Sequence, residues 1–336
     1  MKIGVCDYPS AYLFPPTGYG SIERWLWAAA VGARQWGATV HLVGPQWRRD
    51  LPDSFSRSDV RLEDADSPSL ADIDRLGLDL LIVGHEYPAL PAWRAAWQRL
   101  DCEVATFQHD PGFTHPTGSF DGVNSRLYCY SPEMVVRYAD HKPRQELSVQ
   151  IGLDEEPFPA TQGTDLLWLG RICPDKAPHL AAQAAHRLGL RLRIVGPVHD
   201  QEYVRRHADL LHADHVEWLG ELGGEAKARA LRDARVLVYT CSRDYVEAGA
   251  AVFGDALRAG TPVAALAWRP GTCADVALCE QTGAVASVYD EEDDSAANAL
   301  TLAILATMAL EPETVQQIGS QRFDPRRHFE ALANLR

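Results

Sequence analysis

Short apolar runs that recur at regular intervals, each followed by a helical pattern, constrain this chain most. The first series covers residues 3–6, 40–43, 80–83, 104–107 and 127–130. Helix-like stretches lie between them, over 22–36, 90–100 and 132–139. Around 150–164 the alternation stops, and the proline, glycine and acids of 154–163 read as a linker. The pattern then restarts at 166–170, 192–196, 216–220, 236–239 and 263–266. Strands that are apolar along their whole length are buried on both faces, and alternation with helices makes them parallel. Two such series predict an α/β chain of two Rossmann-like, doubly wound domains. Ligands of such sheets bind outside the carboxyl ends of the strands, so the expected site is a cleft between the domains.

A length of 336 residues suits two domains of ordinary size. A hydrophobic share of 46% with 23% charged residues supplies material for real cores. The net charge of −14, from 46 acids against 32 bases, argues against nucleic acid and against an anionic membrane surface. It does not argue against a phosphorylated small molecule, because local basic residues override a global field. The seven cysteines are scattered and form no C-x-x-C, which speaks against a disulfide framework or a zinc site and for reduced thiols. The chain opens in a strand, Lys2-Ile3-Gly4-Val5-Cys6, with no leader pattern and no long apolar run. The expectation is a cytoplasmic protein without strong membrane association.

The most informative local stretch is 246–263. Glu247 and Asp255 are separated by seven residues. On one continuous helix they would lie up to roughly 12 Å apart along the axis and about 80° apart around it, facing one elongated ligand. That gap matches the span from a sugar ring, past a diphosphate, to a ribose. The plain alternative is two solvated acids.

Gly170-Arg171-Ile172-Cys173-Pro174-Asp175-Lys176 follows the first strand of the second series. Arg171 and Lys176 thus stand at a strand's carboxyl end, where a diphosphate would sit, Arg as a planar fork and Lys as a point charge. Their bland reading is a surface loop. The P-loop pattern is absent. Pro16-Thr17-Gly18-Tyr19-Gly20-Ser21 precedes the first helix; Gly18 and Gly20 allow close backbone approach, and a helix N-terminus favours an anion. Glu23 stands where a dinucleotide fingerprint needs its third glycine, so NAD is disfavoured. His109 ends a strand and reads either as a partner of a sugar hydroxyl or as a structural histidine. His85-Glu86-Tyr87 ends the previous strand and is a weaker candidate for the acceptor side. Arg243-Asp244-Tyr245 enters the Glu247 loop and either binds sugar or shapes the turn. Gly196 and Leu219, at the ends of two later strands, join the donor-side candidates. Trp25, Trp27 and Trp36 read as core. The acidic run 290–294 reads as a solvated helix start, and Asp64-Ala65-Asp66 and Asp72-Ile73-Asp74 read as surface acids rather than a metal site. Asp324 and Pro325 read as the cap and first residue of a last helix.

Taken together these residues resemble a retaining GT-B glycosyltransferase of family 4. The resemblance spans Gly18 to Arg24, the strand-end His109, Ile151-Gly152-Leu153-Asp154 with Phe158, Gly170-Arg171 through Lys176, Glu247 through Asp255, and Gly260-Thr261-Pro262-Val263. It implies two domains, 1–158 on the acceptor side and 159–320 on the nucleotide-sugar side, facing each other across a cleft that closes during turnover. Residues 321–336 would form a helix returning to the first domain. It implies that Glu247 holds the donor sugar and Asp255 the ribose, that Arg171 and Lys176 hold the diphosphate, and that His109 meets the donor's 6-hydroxyl. Backbone amides around Ala248, Gly249, Ala250 and Ala251 would contact sugar or diphosphate. Asp255 departs from the family's usual Glu, and Ala248-Gly249 from its Gly-Phe-Gly.

The reading is therefore transfer of a hexosyl-type unit from a nucleotide diphosphate sugar, UDP-linked by preference, to a small soluble acceptor such as a natural-product intermediate. It expects no cofactor and no metal. The rivals are a GT-B-like sugar-nucleotide epimerase, which needs no acceptor, and a binding protein that neither transfers nor hydrolyses. The sugar, the acceptor and the oligomeric state are not encoded in any pattern recognised here.

Overall fold

The computed structural model describes residues 1–18, 20–60, 67–85, 87, 90, 93, 99–143, 159–289 and 292–335. The chain divides into two compact units: Met1–Pro16 with Gly20–Asp154 and Asp324–Arg336, and Thr17–Tyr19 with Glu155–Phe323.

The first unit runs β1 (Lys2–Cys6), α1 (Ser21–Trp36), β2 (Thr39–Val43), β3 (Ser56–Ser58), α2 (Ser67–Arg75), β4 (Leu80–Gly84), β5 (Glu103–Phe107), β6 (Ser125–Tyr128) and α3 (Pro132–Arg137). Its six strands are parallel, in the order β3-β2-β1-β4-β5-β6. Every residue of β4 is buried, as a strand covered on both faces requires. Helix α1 stops at Gly37, whose left-handed φ of 105° lets its N–H reach the carbonyls of Ala33 and Arg34.

The second unit runs β7 (Asp165–Leu169), α4 (Pro178–Leu188), β8 (Leu192–Val195), α5 (Gln201–Arg206), α6 (Ala208–Leu211), β9 (Val216–Gly220), α7 (Gly224–Arg232), β10 (Ala234–Tyr239), α8 (Ala251–Arg258), β11 (Val263–Ala267), α9 (Cys273–Ala277), β12 (Gly283–Ser287), α10 (Asp293–Thr307) and α11 (Pro312–Arg322). Its parallel order, β12-β11-β10-β7-β8-β9, repeats the winding of the first sheet. The winding reverses between β1 and β4 in one sheet and between β7 and β10 in the other, which is where doubly wound sheets open a crevice.

The last helix, α12 (Pro325–Asn334), is capped by Asp324, which accepts from the Arg326 N–H at 2.7 Å. It packs on α1 in the first unit: the Phe329 ring lies 5.5 Å from that of Trp36. A Cβ on Gly32 would come 2.1 Å from the Pro325 carbonyl oxygen, so this crossing needs glycine there.

Two strands lie outside the apolar series. Strand β3 is Ser-Arg-Ser and β12 is Gly-Ala-Val-Ala-Ser; both are edge strands, which need no continuous apolar signature. Strand β6 starts and ends two residues earlier than the apolar run, and α3 ends at Arg137, followed by a single 3-10 turn, Ala139–His141. The expected 90–100 helix falls largely outside the described residues and the 154–163 linker by half, its described part, 159–163, having no helix or strand; Ile151–Phe158 of the resemblance and Asp64-Ala65-Asp66 fall wholly outside. Trp25 and Trp27 are buried. The cysteines are free thiols, Cys279 alone being partly exposed. At the start of α10, Asp294 pairs with Arg187 and Asp293 lies 3.3 Å from His179 Nε2, while Asp72 pairs with Arg75. Among the described residues no single helix is long and apolar enough to cross a membrane, and no group of three acidic, histidine or cysteine side chains could hold a metal ion.

Candidate active site

The strand ends at the switch point of the second sheet gather the charged candidates. After β7 the chain passes Gly170 and Arg171 and makes one 3-10 turn, Pro174–Lys176, before α4. Two tethers hold that turn to the end of β10. The Ser242 N–H donates to the Asp175 carbonyl at 2.8 Å. The Thr240 hydroxyl donates to the Lys176 carbonyl at 2.7 Å and accepts from the buried Trp168 Nε1 at 2.9 Å. Indole to hydroxyl to carbonyl forms one chain of hydrogen bonds that fixes the lysine's backbone.

Lys176 pairs with Glu247, and their side chains are only 14% and 13% exposed. The same Glu247 oxygen, Oε2, accepts from the Tyr239 hydroxyl at 2.8 Å. The ammonium stands 4.6 Å from the centre of the Tyr245 ring and 5.9 Å from that of Tyr239. Burial pulls an ammonium's pKa down, but the Glu247 carboxylate and then Tyr245 outweigh it, and Lys176 is held above its ordinary range. Burial, then the charge of Glu247, push both tyrosine hydroxyls up, Tyr245 to about 12. At neutral pH Lys176 is thus an ammonium and both phenols are neutral. The charge of Arg171 also acts on Tyr245, which places it at the same strand end.

Glu247 and Asp255 do not share one helix. Helix α8 begins at Ala251, so Glu247 lies in the loop ahead of it and the helical-wheel spacing does not apply between the two acids. Asp255 accepts from Lys227 Nζ at 2.6 Å in a pair 7% and 10% exposed, apart from the Lys176–Glu247 pair. The N-cap of helix α8, Ala250, offers no side-chain cap to the first turn, and the Phe253 N–H donates to the Ala250 carbonyl at 3.0 Å. Ala248 and Ala250 are buried, Gly249 is half-buried and Ala251 opens the helix.

The remaining donor-side candidates serve the backbone. A Cβ on Gly196, whose φ is 141°, would come 1.8 Å from the Gly170 carbonyl oxygen. Gly170 faces the Trp168 ring, 3.1 Å from where its Cβ would stand. Leu219 lies half-buried on β9. Arg243 is exposed, and its carbonyl accepts from Arg269 Nη1 at 2.5 Å, while Arg269 Nη2 donates to the Tyr245 carbonyl at 2.7 Å. Gly18 would place a Cβ 3.4 Å from Glu221 Oε1, and Gly20, with a φ of 137°, directly precedes α1. Tyr19 and Glu86 lie outside the described residues.

In the first unit, His109 is half-buried, and its Nε2 is shielded from solvent and has no hydrogen-bond partner among the described residues. Its ring meets Trp25 at 4.7 Å and Tyr130 at 5.8 Å, and its backbone N–H approaches His85 Nδ1 at 3.4 Å. Tyr87 departs from the acceptor-side expectation. It is 1% exposed and its hydroxyl donates to the Asp7 carbonyl at 2.6 Å, because the strand-end turn directs it into the core against Trp93.

Burial holds His85 at about 4, partly opposed by Asp110; burial with His141 and His85 holds His115 at about 4. His109 is held low by burial, His85 and His328. Unfolded histidines titrate near 6.5, so on acidification the unfolded chain takes up protons first. This contribution to stability is complete above that value and is lost as pH falls toward 4. Melting temperature should fall steadily across this window; a flat profile would contradict the neutral, buried state of these rings.

A comparison with curated protein sequences finds no match. Residues 153–315 match the family model described as glycosyl transferases group 1. Among solved structures the chain is similar to AviGT4, a glycosyltransferase involved in avilamycin A biosynthesis, at a TM-score of 0.72 and 20% identity over 99% of this chain and 96% of that one. The fold is GT-B. Anabaena Alr3699/HepE in complex with UDP is similar at a TM-score of 0.66 and 16% identity, over 100% and 99% of the two chains. WaaG, a glycosyltransferase involved in lipopolysaccharide biosynthesis, gives 0.60 and 16%, over 99% of each. The GT-B unit matched by the family model holds Arg171, Lys176, Glu247 and Asp255.

Sequence reading missed Tyr239, Thr240, Lys227 and Arg269. A signal existed for two of them: Tyr239 and Thr240 stand at the polar end of the apolar run 236–239, at a strand terminus. Lys227 carried none, since a lysine on an amphipathic helix is ordinarily solvated.

Proposed function

We propose that the protein is a retaining, metal-independent glycosyltransferase of family 4 that moves a hexosyl-type unit from a nucleoside diphosphate sugar, UDP-linked by preference, to a small soluble acceptor. The observation that carries this reading is the nearly buried Lys176–Glu247 pair at the switch point of the sheet, with Arg171 at the same strand end. A buried cation stabilises charge that develops on a leaving diphosphate far more than an exposed one does. Arg171, Lys176 and the uncapped amides of α8 supply positive potential for the diphosphate, and Glu247 accepts from sugar hydroxyls. In the reaction the anomeric C–O bond to the diphosphate breaks and a bond to the acceptor oxygen forms on the same face. The acceptor's proton passes to the departing phosphate oxygen. No residue at this strand end is assigned as a nucleophile; the chain contributes positioning and leaving-group stabilisation. Asp255, held by Lys227, takes the ribose side, and a natural-product intermediate is the proposed acceptor class.

The test is a thermal-shift panel of UDP, GDP, ADP and dTDP and their glucose conjugates, without added metal. A ligand at 100 times its dissociation constant stabilises by about 2.7 kcal/mol, so one nucleotide series should stand out. Absence of a shift from the whole panel, with or without magnesium, defeats the reading. Conversion of the donor to an isomer with no acceptor present would instead identify an epimerase.

A further inference from the structure

We propose that Tyr239 is the positioning residue for Glu247: its hydroxyl engages Oε2 and turns the carboxylate so that Oε1 is presented to the hydroxyls of a bound sugar. This rests on the reading of Glu247 as the sugar-holding group. Tyr239 is the last residue of β10 and is 6% exposed. Its ring is locked edge-on against Phe253 of α8, 4.8 Å between centres at 66°. Strand and helix on either side of the Glu247 loop therefore fix where the phenol points. Its hydroxyl donates to Oε2 at 2.8 Å, and Lys176 Nζ donates to that same oxygen. Among the described residues no donor reaches Oε1.

The two donors differ in what they do once a donor substrate is present. Lys176 is a point charge with three N–H groups, and a diphosphate competes for it. The phenol has one proton to give and no charge, so a leaving phosphate draws it far less than it draws the ammonium. It alone keeps the carboxylate oriented while the ammonium is shared. A carboxylate on a loop without such a donor samples several rotamers, and sugar binding must then order it.

The alternative is that the hydroxyl only satisfies itself in a buried place. A double-mutant cycle separates the two. The probe is whichever of UDP-glucose, UDP-N-acetylglucosamine, GDP-mannose, ADP-glucose and dTDP-glucose gives the largest melting shift, and the reference is its bare nucleoside diphosphate. Dissociation constants are measured by calorimetry, and each variant's melt confirms folding. Y239F should weaken the sugar nucleotide about tenfold or more and leave the bare nucleotide unchanged, since a hydrogen bond to a charged group is at stake. E247Q should lower the preference for the sugar nucleotide over the bare nucleotide by a similar factor, with E247D replacing it if the uncharged variant does not fold. Y239F added to the Glu247 variant should cost nothing further.

If Y239F binds like the wild type while the Glu247 variant loses its preference for the sugar nucleotide, the positioning role is overturned and the Glu247 reading stands. Additive losses, or equal losses for the bare nucleotide, make Tyr239 structural and also overturn it. A Glu247 variant that binds both ligands normally overturns the reading and the proposal together, as does a panel in which nothing binds.

Discussion

Replacing Lys176 with methionine should lower nucleotide-sugar turnover about 10²–10³-fold, the cost of deleting one preorganised group that meets developing charge. Methionine keeps the length and apolar body of the stem and removes only the ammonium. The expectation is large because the cation is nearly buried, flanked by two tyrosine rings and carried on a turn tethered by Thr240 and Ser242. Water cannot readily replace it. The same substitution strands Glu247. Removing one partner of a buried pair costs about 3–5 kcal/mol of stability, and the surviving Tyr239 hydroxyl bond puts the expected loss at the lower end. Two readouts therefore separate: a melt reports the stranded carboxylate, and initial rates at saturating donor report the lost leaving-group stabilisation. K176R provides the contrast, since it restores charge to both and should recover most of the stability but less of the rate. Turnover of K176M within threefold of the wild type, in a folded protein, would remove Lys176 from the reaction.

Much of the fold was legible because buried parallel strands leave a strong mark. The runs at 80–83 and 263–266 are apolar at every position, and β4 and β11 are buried throughout. What escaped was what lacks that mark: β3, made of polar residues on an edge, and β12, made mostly of small ones. The site was legible by residue more than by geometry. Arg171 and Lys176 were found at a strand end because such sheets place ligands there, and Glu247 by its spacing to Asp255. The claim that Glu247 and Asp255 share a helix face failed because the periodicity argument assumed a helix running through Ala248-Gly249, whereas α8 begins at Ala251. A glycine in the first turn costs helix stability and marks the loop instead. The partners that set the carboxylates, Tyr239 for Glu247 and Lys227 for Asp255, were invisible because they join across 8 and 28 residues with no local pattern.

Replacing Gly196 with alanine should cost more stability than almost any other single methyl group in the second unit. The reason lies in backbone packing and requires no ligand. Gly196 has a φ of 141°, and an added Cβ would stand 1.8 Å from the Gly170 carbonyl oxygen. The strands cannot easily part to admit it. The Gly170 N–H donates to the Val195 carbonyl at 3.0 Å, and the Gly196 N–H to the Gly220 carbonyl at 2.8 Å, tying the ends of β7, β8 and β9 together. Gly189→Ala separates the two contributions, because its φ of 63° strains alanine while nothing lies within 4 Å of the new Cβ. That control should lose about 1–2 kcal/mol, the left-handed penalty alone. G196A should exceed it by several kcal/mol, reaching the range about 4–5 kcal/mol above which single substitutions are exceptional. Urea unfolding of both variants measures the difference. Because Arg171 follows the displaced Gly170 carbonyl, any G196A protein that folds should also bind the nucleoside diphosphate more weakly, whereas G189A should bind it normally. Equal stability of the two variants would mean that the strand ends yield freely and that Gly196 is not locked against the Gly170 carbonyl.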